Sequence, residues 1–135
     1  MSTEQARMIN SLKVSDMMNK NLVRIGRDAT VFEAVSLMRK EHVSCLLVDR
    51  LEHNDAWGII VRKDIVNKVI EPGKDPDKVK VSEVMTSPLI MVSNGLSITY
   101  CIKLMRTAGI RRAPVFDGEN VVGIISNTDI LNAFC

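Results

Sequence analysis

Apolar and polar residues fall into blocks along this chain, and the blocks recur. Val31, Ala34, Val35 and Met38 stand at i, i+3, i+4 and i+7, and so do Ile98, Cys101, Ile102 and Met105. One apolar face at helical period predicts helices over 30–41 and 97–108, with Thr30 and Ser97 placed to cap them. Short apolar runs at Leu22–Ile25 and Leu89–Val92 precede these helices and predict strands. Two strand pairs follow, Ser44–Asp49 with Trp57–Val61 and Arg112–Phe116 with Val121–Ser126. Asp117-Gly118 predicts a tight turn inside the second pair. A closing helix is expected after each pair, Ile65–Ile70 and Ile130–Phe134. Short helical turns are expected at Ser15–Met18 and Ser82–Met85. Met8, Ile9 and Leu12 make residues 1–13 a mildly amphipathic helical extension.

The order of elements is therefore β-α-β-β-α, used twice, in the α/β class. The residues repeat as well as the pattern. VSDMM opens at Val14 and VSEVM at Val81; Leu37-Met38-Arg39 returns as Leu104-Met105-Arg106. Gly58-Ile59-Ile60 with Asp64-Ile65 returns as Gly123-Ile124-Ile125 with Asp129-Ile130. The first half carries two extra residues in the polar turn LEHNDA, where length changes are tolerated. Glu71-Pro72-Gly73-Lys74-Asp75-Pro76-Asp77 is a breaker stretch. The expected division is an extension at 1–13, a first repeat at 14–70, a linker at 71–80 and a second repeat at 81–135.

Composition narrows the function. The 135 residues are 46% hydrophobic but only 4% aromatic, so the core must be aliphatic, with Met17, Met18, Met38, Met85 and Met105 as filler. A formal net charge of +2 is not the footprint of a nucleic-acid binder. No apolar run approaches the roughly 20 residues of a membrane span. The first residues lack an apolar signal-peptide core, which with three widely spaced cysteines points to a reducing cytoplasm. Cys45 and Cys101 read as buried and inert, Cys135 as the reactive thiol. His42, at a helix C-terminus, and His53, in a turn, have no second ligand at metal spacing, so no metal site is expected. There is no G-x-S-x-G, P-loop or dinucleotide glycine fingerprint, and no enzyme is expected.

What remains is chemistry at two strand-to-helix corners. At one, Ser126 is placed as an N-cap, with Thr128 and Asp129 in the first helical turn, where free N–H groups and the dipole favour an anion. Asp64 occupies the same place at the other.

Three features together closely resemble a tandem pair of cystathionine-β-synthase (CBS) domains: V-S-[DE]-x-M opening each half, Ile110-Arg111-Arg112-Ala113-Pro114-Val115, and G-I-I-x-x-x-D-I closing each half. The resemblance covers residues 14–134. It implies two repeats packed about a pseudo-two-fold axis and a non-catalytic regulatory module with no required cofactor. The implied ligand is an adenine nucleotide (AMP, ADP or ATP) or a related adenosyl compound. It implies a homodimer, and a separately encoded target enzyme or transporter as a possible partner; a purely structural or docking role is the rival reading. Carried over by residue, one cleft takes Asp129 for the ribose, Ser126, Thr128 and Ser44 as hydroxyl donors, and Ala34 and Cys45 near the adenine. The other takes Asp64, with Arg111 and Arg112 at the phosphate and Cys101 near the base. An acidic side chain suits a vicinal diol and an arginine fork suits phosphate. Two departures make the clefts unequal. Val61 stands where the family often has Ser or Thr, and the Asp129 cleft has little positive charge beyond Lys63.

Overall fold

The computed structural model describes residues 3–52, 55–87 and 89–134; His53 and Cys135 lie outside them. In chain order the elements are α1 (Thr3–Ile9), α2 (Val14–Met17), β1 (Arg24–Ile25), α3 (Val31–Glu41), β2 (Cys45–Val48), β3 (Gly58–Val61) and α4 (Arg62–Ile65). Then come β4 (Val92–Ser93), α5 (Ile98–Ala108), β5 (Arg112–Phe116), β6 (Val121–Ser126) and α6 (Asn127–Phe134). A wider π turn, Val66–Ile70, continues α4, and Val81–Glu83 forms a single 3-10 turn.

The chain forms two compact units, Val23–Leu89 and Met1–Leu22 with Ile90–Cys135. Each has a three-stranded sheet in the order β1-β2-β3 or β4-β5-β6. The first two strands are parallel and joined by a helix; the second and third are antiparallel. The helix caps follow local chemistry. Thr30 Oγ1 accepts from the Glu33 amide at 3.1 Å, and Ser97 Oγ from the Tyr100 amide at 3.3 Å. Gly109 ends α5 at φ 69°, the left-handed conformation that suits glycine; α3 ends the same way on His42 at φ 55°. The apolar faces predicted for the two helices bury Val31, Ala34 and Met38 in one core and Ile98, Cys101 and Met105 in the other.

Two sequence expectations change. The Asp117-Gly118 turn is a four-residue loop, 117–120. The Asp117 carboxylate accepts from the Asn120 amide at 2.7 Å and the Glu119 amide at 2.9 Å, so the side chain organises a longer turn than a two-residue hairpin. Those amides hold its carboxyl below the usual range. The closing helices run from Arg62 and Asn127 rather than from Ile65 and Ile130, and Asp64 and Asp129 stand in their first turns, as the N-cap reading of Ser126 predicts for Asp129.

The compact units also differ from the sequence repeats. The opening segment of the first repeat sits on the sheet of the second. The Asn19 amide donates to the Ile124 carbonyl at 2.8 Å, and the Ile124 amide returns a bond to Asn19 at 3.0 Å. Val14, with its amide on the Leu96 carbonyl, is fully buried there. Likewise Val81–Met85 closes the unit of the first repeat, where Thr86 and Ile59 exchange bonds of 2.9 and 3.0 Å. A glycine of the third strand seats each arm. A Cβ on Gly123 would stand 2.8 Å from the Asn19 carbonyl oxygen and 3.0 Å from Met18 Sδ; one on Gly58 would stand 2.6 Å from Met85 Sδ.

Candidate functional site

In the unit built on β4-β5-β6, strand β6 ends at Ser126 and α6 begins one residue later. Ser126 Oγ accepts from the Asp129 amide at 3.1 Å, so the expected N-cap is made. Asp129 answers: its Oδ2 accepts from the Ser126 amide at 3.0 Å and from the Ser126 hydroxyl at 2.9 Å. This reciprocal box satisfies two backbone donors and fixes the carboxylate at the helix start. The arginine pair flanks the same corner. The Asn127 amide donates to the Arg111 carbonyl at 3.0 Å, and Arg112 lies opposite Ser126 in the β5–β6 register. Thr128 and Arg111 are exposed; Arg112 and Asp129 are half-buried.

The corresponding corner of the other unit is built differently. Cys45 lies opposite Val61 in the β2–β3 register, so Cys45 holds the place of Arg112 and Val61 the place of Ser126. Val61 has no side-chain group to cap α4. Among the described residues no hydrogen bond to the half-buried Asp64 carboxylate is made. Lys63 beside it is exposed, and so is Ser44. Sequence reasoning passed over Arg62, whose Nη2 donates to the Val43 carbonyl at 3.3 Å. Its signal was the Arg62-Lys63 pair directly before Asp64.

Each set of site residues inferred from the resemblance draws on both compact units. Ser126, Thr128, Asp129, Arg111, Arg112 and Cys101 belong to one; Ala34, Ser44, Cys45, Lys63 and Asp64 belong to the other. Ala34 and Cys101, expected beside a base, are fully buried in the aliphatic cores, and neither presents a surface here. Their small size lets α3 and α5 pack closely on their sheets. Burial pushes the Cys101 thiol up from its ordinary value. Cys45 is partly exposed. Among the described residues, no three His, Cys, Asp or Glu side chains are grouped to hold a metal. No described helix is long and apolar enough to cross a membrane.

A duplicated α/β unit with an acidic residue at each strand-to-helix corner defines a tandem repeat module. The family model for the CBS domain matches residues 14–71 and 81–135, and the chain belongs to that family. It is 31% identical to the CBS domain-containing protein YhcV of Bacillus subtilis over 87% of this chain and 81% of that protein. An uncharacterized protein of Methanopyrus kandleri is 30% identical over 91% of this chain. The hexameric CBS-CP12 protein of bloom-forming cyanobacteria superimposes with a TM-score of 0.84 at 39% identity, over 89% of this chain. The chain spans 63% of the length of the Methanopyrus protein and 69% of the cyanobacterial one. CBS pairs are commonly regulatory.

Proposed function

We propose that this chain is a regulatory module that binds an adenine nucleotide or related adenosyl ligand through its Asp64 and Asp129 corners. Ligand would act by favouring one arrangement of the protein over another, which requires only a difference in affinity between the two. The observation that carries this reading is the pair of aspartates at equivalent strand-to-helix corners, Asp64 and Asp129, with Arg111 and Arg112 expected to serve the phosphate of the Asp64 ligand and Lys63 that of the Asp129 ligand. A carboxylate beside cations is the chemistry that a ribose diol joined to a phosphate requires. No catalytic step is part of the reading, nor is a required cofactor. The rival reading is a docking or dimerisation module. It is favoured by exposed apolar side chains on the helices, Phe32, Tyr100 and Leu131, at 55%, 65% and 60% exposure. Under either reading the chain works as a homo-oligomer.

Calorimetric titration with AMP, ADP, ATP, S-adenosylmethionine and NAD separates the two. Saturable heat with at least one, reduced roughly tenfold or more in affinity by Asp64→Ala or Asp129→Ala, supports the sensor. No binding of any of the five, with an intact oligomer, supports the docking module.

A further inference from the structure

The arm before β1 is continuous in sequence with one unit and seated on the other. Residues 20–22 connect it to Val23–Leu89, yet its contacts are with the β4-β5-β6 unit. Those contacts include a series of main-chain bonds. The Ile98 amide donates to the Leu12 carbonyl at 2.9 Å, the Ser15 amide to Asn94 at 3.0 Å, and Asn19 pairs with Ile124. Of the arm's side chains Val14 is fully buried in the seat, Ile9, Leu12, Met17 and Met18 pack partly buried against the same core, and Met18 crosses Gly123. None of this depends on which chain supplies the arm. The hinge is folded back on itself: the Leu22 amide donates to the Lys20 carbonyl at 2.8 Å, and the Asn21 amide to Asn19 Oδ1 at 2.8 Å. Opening these two short turns lengthens the connection without breaking a contact of the arm with its seat. A vacant seat would leave the Ile124 edge of β6 unpaired and the Val14 position uncovered, a surface that recruits an identical strand.

We propose that the seat beside Gly123 is an interaction surface for the arm of a second copy of this chain. Residues 12–19 exchange between protomers, each arm closing its partner's β4-β5-β6 unit. This proposal is independent of nucleotide binding.

The test uses the full chain carrying Asn19→Cys and Ile124→Cys, made in light and heavy isotope forms. Positions 19 and 124 are a hydrogen-bonded antiparallel pair, at a spacing a disulfide bridges. The two forms are unfolded together, refolded at high concentration and oxidised. Monomer and dimer fractions are then separated and digested. Exchange predicts light–heavy linked 19–124 peptides in the dimer, as abundant as the two same-isotope pairs combined, and none in the monomer. Only light–light and heavy–heavy pairs in every fraction would overturn it. So would absence of a dimer, or absence of any 19–124 disulfide, since the seat itself would then be wrong.

Discussion

Gly123→Ala is the sharpest probe of how the arms are held, because the two seats predict different costs. The added Cβ at Gly123 meets a main-chain atom, the Asn19 carbonyl oxygen at 2.8 Å; at Gly58 the nearest atom is the end of a flexible side chain, Met85 Sδ at 2.6 Å. Met85 can swing aside. The Asn19 carbonyl moves only by giving up its paired bonds with Ile124. Two backbone hydrogen bonds contribute about 1–3 kcal/mol together, and replacing glycine by alanine in a strand returns about 0.4–1 kcal/mol. The net expectation is a loss of about 1–2 kcal/mol at Gly123. At Gly58 the Thr86 carbonyl oxygen, 3.2 Å from the added Cβ, has to give by only a few tenths of an ångström, so the expected loss there is smaller than at Gly123. Because the loss is local, amide hydrogen exchange is the right assay. Protection at Asn19 and Ile124 should fall roughly 5- to 30-fold in Gly123→Ala, at about 1.4 kcal/mol per factor of ten. Unchanged protection there, or a larger loss at Thr86 and Ile59 in Gly58→Ala, would refute the reasoning.

Other expectations follow from the corners and the core. Asp129→Ala should weaken ligand and also cost about 1 kcal/mol in urea unfolding, because it removes half of the capping box, whereas Asp64→Ala should touch ligand alone. Arg111→Ala should weaken AMP far more than adenosine, and added salt should shrink the difference; equal losses for both ligands would remove Arg111 from the phosphate. His42→Gly should raise stability by up to about 1 kcal/mol, since a left-handed C-terminal residue favours glycine; a drop in the unfolding midpoint would count against it. The Cys101 thiol, raised by burial from 9.0, binds its proton more tightly folded than unfolded. Its contribution is therefore present below about pH 9 and lost as pH rises above it, and a Cys101→Ala chain should lack that alkaline decline.

The repeat, the two amphipathic helices and both caps were legible in the sequence because each rests on residues within a few positions of one another. Thr30, Ser97 and Ser126 need only the next turn of helix to do their work. The arms were not legible. V-S-[DE]-x-M looks like the first element of its own repeat, and its true seat is a glycine more than a hundred residues away in one case. Small residues carry two readings in a sequence. Ala34 and Cys101 suggested room for a base, but smallness serves equally to bring a helix close to its sheet, and the core uses it so. The sequence places an aspartate at each strand-to-helix corner, but the difference between the two corners depends on whether the residue before the helix carries a hydroxyl. Ser126 does; Val61 does not.

The split composition of the second unit has a consequence during synthesis. The strands and helices of Val23–Leu89 are all present once that continuous stretch has emerged, so this half can fold early. The arm ahead of it must wait for Ile124. At about 5–20 residues per second, that leaves Val14 and Met18 uncovered for roughly 5–20 s. On a message carrying several ribosomes, neighbouring nascent chains hold the same arm exposed at the same time. The moment of translation is then when a protomer is most open to taking its arm from another chain, and the rate of elongation sets how long that moment lasts.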